Sequence, residues 1–304
     1  MDYEYWYTGN DTFNFTDDFK FCEMMYLGDI VSWSLAVYML IIVFGAISNI
    51  LLLFAIYKNP LKCFSNPTTY FVANLGIVDL LNSIFNLEEL LLSQTEHEST
   101  FCLPGAWGMI HSTFASYIFF LLYPSVAIMA LERYVSVAHP LWHQVNVTSR
   151  VCYISITAVW LVNCIYTGIY RHFTHVAGIL PSYPIAFYLT TVLVYLLAFT
   201  SIRKQRLSLG ADISQSKCVK QMMKLRLRNE NRFLTTVLIV NIVLVFGIIP
   251  SILDVINMHS KYPAFLLYTT DILFLINTAV NPLLYLWRLP KYRKTFFVLY
   301  CGKT

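Results

Sequence analysis

Charge is the first thing this sequence lacks. Asp, Glu, Lys and Arg make up 12% of its 304 residues, against roughly 25% in a soluble domain. Hydrophobic residues reach 57%, so the composition points to a membrane before any motif is considered. No two of the seven cysteines (Cys22, Cys63, Cys102, Cys152, Cys164, Cys218, Cys301) have CxxC spacing, which argues against a zinc site. Residues 1–29 contain no basic segment followed by a short apolar one. No cleavable signal peptide is expected, and the first apolar helix would act as its own insertion signal. No nucleophile–base pair, metal cluster or phosphate loop is present, so neither catalysis nor a metal is expected. The net charge of +4 is modest and the basic residues share no soluble face, which speaks against nucleic acid as a partner. Internal repeats and midplane-charged broken helices are not evident, so a transporter or channel is the weaker reading.

Long uncharged runs are what the chain does have. Seven apolar segments cover residues 31–57, 68–87, 103–131, 151–170, 176–202, 233–253 and 262–287. Each is about 20 residues or more, enough to span a bilayer. None alternates like a strand, so helices are the spanning solution. The charges inside them are Asp79 and Asp271. The third run ends at Leu131-Glu132-Arg133-Tyr134, and a polar connection over 136–150 follows. That ending predicts Glu132 and Arg133 at the point where the helix leaves hydrocarbon, where charges are costly unless paired or working.

Orientation follows from Lys and Arg. The connections after the first, third and fifth spans hold Lys58, Lys62, Arg150, Arg203, Lys204, Arg206 and a further basic set up to Arg232; the opposite side has Lys20, Arg171 and Lys261. The basic loops are therefore expected in the cytoplasm and the N-terminus outside. Residues 1–29 read as an extracellular tail with sequons at Asn10 and Asn14 that suggest glycosylation. Residues 30–289 form the seven-span domain, and 290–304 an amphipathic helix and cytoplasmic tail. A third sequon, Asn146, would lie inside and go unused. The basic loop 203–232 reads as topology plus lipid phosphate contact, or as a docking surface for a cytoplasmic partner. Over 291–299, Tyr292, Phe296 and Phe297 would dip into lipid while Arg293 and Lys294 meet phosphates. Cys301 follows, as a palmitoylation site or an unmodified thiol.

Several motifs sit in order on these spans. They are Asn49 in Gly45-x-x-x-Asn49, Asn74-Leu-Gly-Ile-Val-Asp79, Glu132-Arg133-Tyr134, Trp160, Pro250 and Asn281-Pro282-Leu-Leu-Tyr285. Over residues 30–300 the chain thereby resembles the rhodopsin-like (class A) G protein-coupled receptors. The resemblance implies an all-α membrane fold, a seven-transmembrane helix bundle with a short amphipathic eighth helix. It implies a cell-surface receptor for an extracellular ligand that activates a heterotrimeric G protein through outward movement of helix 6. On its own chemistry, Asp79 is a carboxylate in a membrane helix and needs partners; Asn49, Asn277 and Asn281 could supply them. The family implies a sodium ion there. Arg133 keeps its charge, so it must pair with Glu132, reach another acid or meet water. The family implies a bridge from Arg133 to Glu230, with Tyr195 and Tyr285 swinging toward the arginine in the active state.

The outer half departs from the family pattern. Gly108 stands where the usual helix 3 cysteine would be, and residues 171–175 contain no Cys. The usual disulfide is not expected, and Cys22 and Cys102, both outside, could pair instead. Ile248 replaces the common Trp, helix 5 has no mid-span Pro, and Ala115 stands where amine receptors carry Asp. With no Lys between residues 262 and 287, a retinal Schiff base is not expected. The short second loop and the missing disulfide and proline look like the melanocortin, adenosine and cannabinoid branch. Glu89 matches an acid of the melanocortin receptors, but Gly108 and Ser112 replace its partners. Glu89, Asp254 and Asp271 would favour a cationic or peptide ligand, unless they are solvated or paired with Arg171 and Lys261. His111, Ser112, Ala115 and Tyr268 complete the candidate pocket by position. A chemosensory receptor for small environmental molecules on the same fold is the alternative.

Overall fold

The computed structural model describes residues 32–62, 64, 66–95, 106–172, 182–211, 218, 221–225, 227–231, 234, 235, 238, 264–288 and 290–302. Helices α1 (Ser32–Lys58), α2 (Pro67–Thr95), α3 (Ala106–Ala138), α4 (Ser149–His172) and α5 (Ser182–Ala211) come first. Each is long and apolar enough to cross a membrane. Helical residues within 221–238 belong to α6. Helix α7 (Ala264–Arg288) is followed by α8 (Pro290–Cys301), which turns from it by 95°. Among the described residues there is no strand. Proline opens α2 at Pro67 and α8 at Pro290, first-turn positions where its missing N–H costs nothing. Gly302, at φ +61°, ends α8 in the left-handed conformation that glycine adopts freely.

These helices are consistent with the seven-span bundle expected, the span over 233–253 lying largely outside the described residues, but three boundaries differ. Helix α3 continues beyond Arg133 to Ala138, into the polar connection expected over 136–150. The connection after it contains a short loop helix, Pro140–Asn146, also opened by proline. Helix α5 runs to Ala211, so the basic loop begins as helix. Composition marks where apolar residues stop; a helix needs only backbone partners and can continue into water.

Helix α3 is the axis. It packs against α2, α4, α5 and the loop helix, while α7 packs against α1, α2 and α8. Of its spanning window 56% is buried, against 17% for α4. The core runs through Leu75, Val78, Leu121, Leu122, Met129, Tyr195 and Tyr285. Large apolar side chains such as Leu40, Phe44, Leu161 and Ile165 face outward, as lipid-facing positions do. Close approach rests on Gly45, where an added Cβ would meet Ser83 Oγ at 3.1 Å and Ala279 Cβ at 3.4 Å. Small residues let membrane helices pack this way. Pro124 lies inside α3 and removes one rung of its hydrogen-bond ladder.

Candidate functional site

Polar side chains in an apolar bundle must find partners within it, and here they form two layers. In the middle, Asp79 on α2 is fully buried, and its Oδ2 accepts a hydrogen bond from Asn281 Nδ2 on α7 at 2.9 Å. Asp79 Oδ1 has no hydrogen-bond partner among the described residues, and neither has Asn49 Oδ1. Asn49 does not bond to Asp79; its amide donates to the Gly45 and Thr278 carbonyls at 2.9 and 3.3 Å, tying α1 to α7. Asn277 is buried nearby in sequence on α7. A second tie joins α2, α3 and α4: Trp160 Nε1 donates to Asn74 Oδ1 at 2.8 Å, and Asn74 Nδ2 donates to Ser125 Oγ at 3.2 Å. The motif residues of three spans therefore meet side chain to side chain.

The cytoplasmic layer centres on Glu132. Its Oε2 accepts from Arg133 Nε at 2.7 Å, and its Oε1 from Arg133 Nη2 at 2.9 Å. This is the two-pronged fit of a guanidinium on a carboxylate. Oε1 also accepts from Thr68 Oγ1 on α2 at 3.0 Å and lies 2.9 Å from His143 Nε2 in the loop helix. Glu132, Arg133 and His143 are all buried. Thr68 and His143 were missed by sequence reasoning; an apolar pattern does not show that a loop will fold back as a helix.

Glu230, on α6, lies within electrostatic reach of Arg133, but the ion pair formed at contact distance is with Glu132. The buried Tyr195 hydroxyl has no hydrogen-bond partner among the described residues and feels both Arg133 and Glu132. Tyr285 OH donates to Met129 Sδ at 3.5 Å. Tyr134 is half-buried, with its ring against His139. Behind them Tyr292 of α8 donates to Thr69 Oγ1 at 3.3 Å and packs on Phe64. Burial raises the Tyr292 phenol above its ordinary range, so it stays a neutral donor.

The outer layer is only partly described. His111 is buried on α3 with Nε2 3.4 Å from Glu88 Oε2, an acid that sequence reasoning passed over. Glu89 and Ala115 are half-buried. Ser112 is buried and its hydroxyl donates to the Met109 carbonyl. Tyr268 and Asp271 lie on α7, but their side chains, like Asp254, Cys22, Cys102, Asn10 and Asn14, fall outside the described residues. Cys301 is exposed at the end of α8.

The family model described as "7 transmembrane receptor (rhodopsin family)" matches residues 48–285. The chain belongs to that family. Sphingosine 1-phosphate receptor 3 of Takifugu rubripes is 27% identical over 286 residues, 85% of this chain and 68% of its own. A putative olfactory receptor of Homo sapiens is 30% identical over 129 residues, 42% of this chain and 36% of its own. Olfactory receptor 1078 of Rattus norvegicus is 26% identical over 125 residues, 40% of this chain and 35% of its own. The olfactory matches thus span about a third of those relatives' lengths. These relatives do not single out the melanocortin, adenosine or cannabinoid branch. The receptor's family is one of membrane receptors and not of enzymes.

Proposed function

We propose that this chain is a plasma-membrane receptor with an extracellular N-terminus that binds an outside ligand and activates a heterotrimeric G protein. The observation that carries the reading is the buried Glu132–Arg133 pair, with Glu230 of α6 in electrostatic reach and the Tyr195 hydroxyl, which has no hydrogen-bond partner among the described residues, sensing both charges. An ionised guanidinium held by acids on two helices is a two-state element: outward movement of α6 removes one acid, and a buried tyrosine hydroxyl offers the arginine a second resting place. The loop helix adds a surface next to this switch. Its Leu141, Trp142 and Val145 are exposed on the face away from His143, an apolar patch suited to a docking protein.

Asp79 Oδ1 and Asn49 Oδ1, buried oxygens without donors among the described residues, support a sodium ion, which would supply a counter-charge to Asp79. On the outside, half-buried Glu89 and the neighbouring Glu88 support a cationic or peptide ligand, for which Asp254 and Asp271 are proposed as further acids. The olfactory names of several relatives favour a second reading, a chemosensory receptor for small environmental molecules. On the inside, exposed Arg293 and Lys294 on α8 support contact with lipid phosphates, and exposed Cys301 supports palmitoylation. Asn10 and Asn14 are proposed as glycosylated, and Cys22 and Cys102 as a pair.

The test is Glu230→Ala in cells, read by cAMP, calcium and inositol phosphate without ligand. Removing about 1–2 kcal/mol from the closed state shifts the closed-to-open ratio roughly 5–30-fold, so basal signalling should rise. Basal output equal to wild type in all three assays, at equal surface expression, refutes the lock.

A further inference from the structure

Residues 203–232 hold nine Lys and Arg against two acids, Asp212 and Glu230. The start of α6 lies within this stretch. The chain is helical at Cys218 and over 221–225, and all of these residues are exposed. Two of them are large, apolar and well clear of the bundle: Met222 is 67% exposed and Leu225 52%. Successive helix residues turn by about 100°, so Cys218, Met222 and Leu225, spaced i, i+4, i+7, share one narrow face. Leu227 and Leu234 are buried and fall on the opposite face. Arg206 of α5 donates to the Leu227 carbonyl at 3.5 Å, which marks the side of α6 that packs on the bundle. The apolar stripe therefore points away from the bundle.

Three obvious occupants fit this stripe badly. The leaflet is too far away. Arg232 is the last charge before the apolar run, and Met222 stands ten residues from it, about 15 Å along the helix. The headgroup layer on one side of a bilayer is about 5–8 Å thick. A second copy of the chain brings the same positive charge and is repelled. The G protein of the proposed switch enters the crevice that movement of α6 opens, on the Leu227 side. What fits is an acidic protein with an apolar groove that takes one face of a helix. We infer that the start of α6 is a docking site for a calcium-loaded EF-hand sensor, with Met222 and Leu225 as its anchors. The inference rests on the proposed cytoplasmic placement of residues 203–232.

The two surfaces complement each other in charge and in shape. Calcium opens the helix pair of a sensor EF-hand and uncovers a methionine-rich apolar groove. Flexible methionines adapt to the anchors they meet, so an i, i+3 pair such as Met222 and Leu225 suffices to seat one lobe. The acids of the EF-hand loops make the sensor negative, and exposed Lys224 and Arg228 lie close to the stripe on the same helix. Their attraction steers the encounter and fixes its orientation. One lobe on the outward face leaves Leu227 and Leu234 in the bundle. Calcium thereby brings a protein onto the helix whose movement is the proposed switch.

The test uses the full receptor in lipid nanodiscs, which leave both faces open, and purified calmodulin as the probe. Calmodulin should bind in calcium and be released by excess chelator. Met222→Asp and Leu225→Asp should each weaken binding at least about tenfold, as loss of an anchor does. Both side chains are exposed, so the melting temperature of each variant should match wild type. Leu141→Asp, on the loop helix, should bind as wild type does. No binding in calcium, equal binding in chelator, or full affinity in both α6 variants overturns the inference. A spin label at Met222→Cys, in a Cys218→Ser background, should be relaxed by aqueous nickel; relaxation by oxygen dissolved in lipid instead places the stripe in the leaflet and also overturns it. Alkylation of Cys218 by an impermeant reagent in intact cells, assigned by its loss in Cys218→Ser, refutes the cytoplasmic placement and the inference with it. Calmodulin binding without any G protein activation refutes the receptor reading and leaves this one standing.

Discussion

Replacing Asp79 by Asn probes the middle of the bundle. Asp79 is fully enclosed, one oxygen takes a 2.9 Å hydrogen bond from Asn281, and the other has no donor among the described residues. One neutral donor does not compensate a buried anion, whose effective desolvation penalty is several kcal/mol. Asn49 Oδ1 is likewise buried without a donor among the described residues. If sodium supplies the balance, its binding stabilises the receptor by about 2.7 kcal/mol at a concentration 100 times Kd. At about 2–4 °C per kcal/mol, that is roughly 5–10 °C in melting temperature. Asparagine keeps the volume and an acceptor for Asn281 and removes the charge. Wild type in nanodiscs should melt higher in sodium chloride than in choline chloride of equal ionic strength, which holds screening constant. Asp79→Asn should abolish that difference, and without sodium it should melt no lower than wild type. A sodium-dependent shift retained by the variant, or absent from wild type, refutes the reasoning.

Two further outcomes follow from other parts of the bundle. Leu141→Asp and Val145→Asp change side chains that are 78% and 74% exposed, so folding should shift by no more than about 0.5 kcal/mol. G protein activation by these variants should fall about tenfold at unchanged surface expression, and full activation would remove the loop helix from the docking surface. Pro124→Ala restores a rung to α3 worth about 3 kcal/mol in a helix interior, offset by a small cavity costing about 1 kcal/mol. The variant should melt several degrees higher, and a lower melting temperature would mean that neighbouring groups already satisfy the freed carbonyl.

Much of the site can be read in order along the chain, because each motif residue is a polar exception in an apolar run. Asp79 and Asn281 stand out this way, and their pairing follows from the need of a buried acid for a donor. The same reasoning left several candidates open, and the structure distributes them. Asn281 reaches Asp79, Asn49 ties α1 to α7 backbone carbonyls, and His111 lies 3.4 Å from Glu88. Adjacent residues on a helix point about 100° apart, and which of them faces a neighbouring helix is set by rotation about the axis.

The sequence by itself determined that the chain spans a membrane, where the spans lie and which loops carry the positive charge. These are properties of composition along a line, since a bilayer selects for length and hydrophobicity one segment at a time. Only the tertiary structure decided who holds Glu132. Arg133 beside it was visible, but Thr68 lies 64 residues away on α2. His143 reaches the carboxylate because proline starts a short helix that folds back under α3. Partners of that kind depend on the phase and packing of separate helices, and no one segment records them.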